Sequence, residues 1–374
     1  MLAVGHTVAS CERLFEALEL IESDRRVQIV FTQAPDVFGN GVEEFLRAAE
    51  GVVVPWEQAV RERFDLALAA AYGSIDRVHA PLVVMPHGAG YAKGHPTSTG
   101  RLSVYGLDGQ RLVRDGRPVP RMVVLSHDSQ LDLLREQCPE VVEVAEVVGD
   151  LSYDRLVVSA SSREAYRDAL GVGPEQQLVV VTSTWGAGSL FGMHLDLLER
   201  LMDELPPSRF RVAALVHPAV WFGHGPRQVK AWLADCVDAG LMLFTPELDW
   251  RAALVAADRV IGDHGSTTAY AAAIGRPVLT VERPAALALV PDAPQTRLGE
   301  VAPALRLDVP LPEQLDSTDA DPVLAEEIRA RLTSRPGSAA CTLRRSLYRL
   351  LGLSEPGAHR ALSAAPTPRK WCRS

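Results

Sequence analysis

The chain is 374 residues long, enough at roughly 100–200 residues per domain for two domains and a tail. Hydrophobic residues make up 47% and charged residues 23%, the balance of a folded globular chain. The net charge of −9 argues against nucleic acid as a partner, because a phosphate backbone requires a basic face. Five scattered cysteines without CxxC spacing exclude a disulfide framework and a zinc ribbon. With no basic leader and no apolar run long enough to span a bilayer, they point to a reducing, cytoplasmic setting.

In chain order, short apolar runs at 2–4, 27–31, 51–54, 66–71, 82–85, 122–125 and 141–147 read as strands, with amphipathic helices at 10–23 and 41–50. Residues 101–120 interrupt that rhythm, and Asp108-Gly109 and Asp115-Gly116 mark turns within a hairpin or surface loop. A boundary falls at Gly149-Asp150, closing a first domain over 1–150. A second domain over 151–334 opens with a long helix at 152–170. Strands follow at 178–182, 210–216, 241–244, 259–262 and 278–281, separated by helices at 195–205, 227–239, 250–257 and 267–274. A proline-rich, irregular connection spans 283–322, and helices resume at 323–333 and 342–351. Two such series predict an α/β protein of two Rossmann-like, doubly wound domains with parallel sheets. The last segment is 335–374, and from Cys341 to Ser374 it holds Arg344, Arg345, Arg349, Arg360, Arg369, Lys370 and Arg373 against Glu355. It reads as a solvated helix with a disordered end from 357; the alternative is a basic arm for an anionic membrane or a polyanionic acceptor.

Ligands of doubly wound sheets sit beyond the carboxyl ends of strands, and four strand ends carry unusual residues here. The first delivers His87, followed by Gly88 and Gly90, where an imidazole can serve as general base; Lys93, one of only three lysines, offers a point charge to a phosphate. The second ends in Thr182, Ser183, Thr184 and Trp185, hydroxyls and a wall beside Gly186 and Gly188, suited to an anion but without a P-loop. The third delivers His217 before Pro218, able to neutralise a diphosphate or a leaving group. The fourth runs through Asp263, His264, Gly265, Ser266, Thr267 and Thr268 into an alanine-rich helix. Ser266 or Thr267 is expected as its N-cap, with the positive end of the helix dipole aimed at a phosphate.

Together these segments resemble the CDP-glycerol glycerophosphotransferase family, teichoic-acid-type transferases with a GT-B fold. His87-Gly88 through Lys93 is similar to the family's HG(T)xxK, with the lysine one position later. Thr182-Ser183-Thr184-Trp185 looks like its PTW turn, His217-Pro218 like its HP, and Asp263 through Thr267 with Gly275-Arg276-Pro277 like its D-x-S-S and G-[KR]-P. Gly149-Asp150 with Asp154 resembles a G-x-P-R-x-D turn lacking its Pro-Arg pair, and Gly186 stands where the family has arginine. The resemblance implies two domains facing across a cleft, with the nucleotide on the C-terminal one and the acceptor beside His87.

The reading that follows is a metal-independent transferase that needs no cofactor. It takes a nucleotide-diphosphate donor, CDP-glycerol-like or a nucleotide sugar, and passes a glycerophosphate or glycosyl group to an acceptor hydroxyl on a polyol phosphate or a lipid-linked chain. His87 is the base, while His217 and residues 263–268 stabilise the departing phosphate. Asp319 and Asp321 form a DxD-like pair, set aside because they lie in the irregular connection. The alternatives are a nucleotide-sugar epimerase, for which Asp263 and Asp150 are the only well-placed carboxylates, and a non-catalytic binder of nucleotide or polyanion.

Overall fold

A computed structural model describes residues 1–97, 102–284, 287–358 and 361–369. The chain forms two compact units. The first comprises Met1–Asp154 with Leu332–Leu362, and the second Arg155–Arg331 with the described residues 363–369. A bisection at residue 150 with a separate tail therefore misses the exchange: the helix Ala339–Leu351 belongs to the first unit, and only the chain from residue 363 to the second.

The first unit is built on strands β1 (Leu2–Gly5), β2 (Val30–Gln33), β3 (Ala67–Ala69), β4 (Leu82–Val84), β9 (Met122–Leu125) and β10 (Ala145–Val147). They form a parallel sheet in the order β10-β9-β4-β3-β1-β2. Its central strands are buried along their whole length, as expected of a sheet covered on both faces. The helix Val8–Leu18 follows β1 and starts at a reciprocal cap, Thr7 accepting from Ser10 N–H. Between β4 and β9 lie two small hairpins, β5 (Gly94–Pro96) with β6 (Leu102–Val104) and β7 (Val113–Arg114) with β8 (Arg117–Pro118). Asp115-Gly116 makes the second turn, both residues at positive φ (51° and 72°), the two-residue hairpin geometry. Asp108 instead caps the short helix Gly109–Leu112 rather than opening a turn.

The second unit is a parallel sheet in the order β13-β12-β11-β14-β15, made of β11 (Gln177–Ser183), β12 (Phe210–Val216), β13 (Met242–Phe244), β14 (Arg259–Gly262) and β15 (Val278–Thr280). Val179, Val181, Leu197, Leu201, Phe210, Val212 and Trp221 lie in its main core.

Several expected elements shift for local reasons. Residues 51–54 leave only an isolated bridge, Phe31 to Val53, because Pro55 follows and starts a short helix. The first part of 141–147 is a 3-10 helix, Pro139–Val144. The helix at 152–170 breaks into Leu151–Ser159 and Arg163–Ala169 at the serine-rich Ala160–Ser162, where the Ser159 hydroxyl bonds the Arg155 carbonyl instead. Residues 283–322 are less irregular than expected, since Pro294 and Leu311-Pro312 start the helices Pro294–Val301 and Leu311–Ser317. The tail after 357 is not disordered throughout: Ala365 is buried, its N–H donating to Ser159 Oγ and its carbonyl accepting from Tyr166 Oη. His359, Arg360 and 370–374 lie outside the described residues. Two of the tail's arginines serve the fold, Arg344 pairing with Glu355 at 2.6 Å and Arg349 with Glu146 at 2.7 Å.

Candidate active site

Strand order reverses between β1 and β3 in the first sheet and between β11 and β14 in the second. The carboxyl ends flanking such a reversal are where doubly wound sheets bind ligands. Each unit is built up separately from that point.

In the first unit, His87 stands just past β4. Its Nδ1 lies 3.0 Å from the Ala70 carbonyl, beyond β3. A carbonyl only accepts, so Nδ1 carries the ring proton and Nε2 keeps its lone pair. Desolvation by the surrounding protein and then the Lys93 ammonium, with smaller contributions from Arg13 and His6 and against the opposing Ala70 bond, lower the His87 pKa to about 4. Solvent still reaches this residue and screens those charges in part. His87 is therefore a neutral imidazole of fixed tautomer near pH 7. Lys93 is exposed, directly before β5. Gly90 adopts φ +66°, and a side chain there would meet Gln130 Nε2 at 2.6 Å, so the glycine after Ala89 is a requirement of the loop.

His6, beyond β1, went unread in the sequence. It is fully buried; Nε2 donates to the Gly73 carbonyl at 2.7 Å, and Nδ1 has no hydrogen-bond partner among the described residues. Its position directly after a buried strand was the available signal.

In the second unit, Asp263 ties the two central strand ends together. Oδ2 accepts from Thr184 N–H at 2.8 Å, Thr184 Oγ1 at 2.7 Å and Leu190 N–H at 3.0 Å, and Oδ1 accepts from Gly265 N–H at 3.0 Å. Thr182 Oγ1 and Thr268 Oγ1 meet at 2.9 Å beneath it. A Cβ on Gly262 would strike both threonine hydroxyls, so glycine lets this strand and the following helix approach. Ser183 Oγ accepts from Phe191 N–H and donates to the Thr184 carbonyl. The three hydroxyls read as anion ligands thus hold the loop, and the turn presents Trp185, 38% exposed, with Gly186 at φ +87°.

The helix Ser266–Ala273 begins differently from expectation. Gly265 is the N-cap, in extended conformation (φ −74°, ψ 157°) and without a side-chain cap, so Ser266 and Thr267 are the first helical residues. Its amino end carries no capping side chain and lies at the strand reversal, the arrangement that favours an anion. Gln295, 5% exposed on Pro294–Val301, donates to Ser266 Oγ at 3.4 Å, a contact no local pattern announced. His264 is half-buried, with Nε2 3.5 Å from Thr184 Oγ1. His217 caps the helix Pro218–His224: Nδ1 accepts from Ala219 N–H at 3.0 Å, so the neutral ring carries its proton on Nε2.

The carboxylates that an epimerase would need are committed elsewhere. Asp263 is the tie just described, and Asp150, buried, accepts from Tyr153 N–H at 2.8 Å. Asp154 accepts from Gly337 and Ala339 N–H, holding the start of the last helix. Asp321 caps Pro322–Leu332 through Val323 and Leu324 N–H. Among the described residues, no group of three or more His, Cys, Asp or Glu side chains is arranged to hold a metal.

Two Rossmann-like units in one chain define the GT-B class of fold. No family model and no curated relative matches the sequence. Solved structures do: the wall teichoic acid polymerase TagF is similar over 94% of this chain and 89% of its own, with 13% identity and a TM-score of 0.60. A TagF variant soaked with CDPG is similar over 94% and 88%, with 11% identity and a TM-score of 0.59. At that identity the likeness shows the fold.

Proposed function

We propose that the protein is a transferase that draws on a nucleotide-diphosphate donor and passes a glycerophosphate or glycosyl group to an acceptor hydroxyl. The observation that carries this reading is His87, whose proton is fixed on Nδ1 by Ala70 while Nε2 keeps a lone pair. That nitrogen takes the acceptor proton as the oxygen attacks the donor and the bond to the nucleotide breaks. The second unit serves the charge that leaves. Nε2–H of His217 and the uncapped start of Ser266–Ala273 supply donors to a phosphate without a cation, and Trp185 supplies an exposed aromatic face. The TagF likeness, which includes a structure soaked with CDPG, supports a CDP-linked donor ahead of a nucleotide sugar.

The test is product analysis with a panel of CDP- and UDP-linked donors and polyol-phosphate acceptors. Transfer that persists in EDTA and is lost in His87→Ala, with donor binding retained, supports the reading. Donor binding without turnover in the parent protein would leave a non-catalytic binder, and turnover by His87→Ala at the parent rate would remove the base.

A further inference from the structure

The His87 loop has a second anchor, and the inference drawn from it rests on the transferase reading. Arg13, on the helix Val8–Leu18, donates from Nη2 to the Gly88 carbonyl at 3.2 Å. Its Nη1 bonds Glu16 Oε2 at 3.0 Å and lies 3.8 Å from Asp150 Oδ1. Ser152 Oγ reaches Glu16 at 2.8 Å. Arg13, Glu16, Asp150 and Ser152 are all buried. Burying a guanidinium and two carboxylates costs several kcal/mol per ion before their attraction offsets it, an expensive way to hold one carbonyl if holding it were immaterial.

We infer that Arg13 is the positioning residue for His87. Ala70 holds the imidazole and Arg13 the peptide that follows it, so ring and adjoining backbone are both fixed and Nε2 is held in one direction. The groups facing the ring that oppose its protonation are the cations Lys93, from its own loop, and Arg13, from the helix, together with the titratable His6 from beyond β1. Glu16 and Asp150 act on the other side of the account, through Arg13, whose charge they balance.

Two variants separate positioning from bulk structure. Arg13→Lys keeps the charge and loses the forked geometry, so His87 continues to titrate near its parent value while kcat falls about tenfold with donor KM unchanged, the result of a misaimed base. Arg13→Met removes the charge and leaves Glu16 and Asp150 unbalanced. His87, followed by the NMR shift of its ring proton, then titrates above its parent value of about 4 but short of 6.5, because burial and Lys93 still act on it, and the acid limb of the transfer profile moves to higher pH with it. Parent-like kcat in Arg13→Lys, or an unmoved titration in folded Arg13→Met, overturns the assignment. If Arg13→Met does not fold, the lysine variant decides alone. A parent protein that transfers from no donor refutes the transferase reading, and the ring titration, which needs no substrate, still reports on Arg13.

Discussion

The two strand-reversal points hold their polar residues by opposite means. In the first unit, backbone carbonyls of the segment after β3 receive the rings of His6 and His87, each imidazole being oriented by a single bond. In the second unit, a single carboxylate receives four donors from three segments, and paired threonines lock strand to helix below it. Chemistry and fold are therefore separable around His87 and fused around Asp263. One arrangement exposes an imidazole that can be removed cleanly. The other keeps a helix start uncapped by committing the nearby side chains to holding it open.

The comparison predicts a graded series. The largest effect belongs to His87→Gln, which should reduce transfer by about 10³-fold with the melting temperature unchanged, because general-base contributions are of that order and the residue is exposed. A comparable loss of stability would mean that the first unit is as fused as the second. Next comes Asp263→Asn, which removes a charged acceptor from four donors. It should cost about 3 kcal/mol in denaturant unfolding and weaken donor binding in parallel. Loss of binding at full stability would separate what the geometry joins. Thr268→Val should cost about 1 kcal/mol by leaving the Thr182 hydroxyl alone, and adding Thr182→Val should recover part of it, since removing both partners of a buried pair is the milder change.

The smallest effect is a pH dependence. His6 and His87 both have lowered pKa values, desolvation leading in each case. The unfolded chain then binds more protons than the folded one below the ordinary histidine value of 6.5, so both groups make stability fall as pH drops from there, His87 down to about 4. Thermal unfolding of His6→Gln and His87→Gln across that window should show a flatter acid side than the parent.

Much of this was legible in the residues. The strands Phe210–Val216 and Arg259–Gly262 are readable to both ends because an apolar run, buried almost throughout, stops at a polar residue that cannot continue it. The same stops, His217 and Asp263, are the residues from which the proposed ligand contacts are read. What those stops do was not legible. An aspartate before a helix reads as a free cleft carboxylate until the amides of Thr184 and Leu190, brought by another strand, are seen to consume it. Arg13 and Gln295 sit on helices with no local cue, since their meaning depends on contacts distant in sequence.

The chain leaves the first unit after Asp154, returns at Leu332 and departs again after Leu362. Neither unit is a continuous stretch, so a ribosome cannot finish the first before beginning the second. The helix Ala339–Leu351, whose start is held by Asp154, emerges only after the whole second sheet has been made. Until then the nascent first unit lacks the contacts of that helix, and cutting the gene at the apparent midpoint would yield two incomplete pieces rather than two domains.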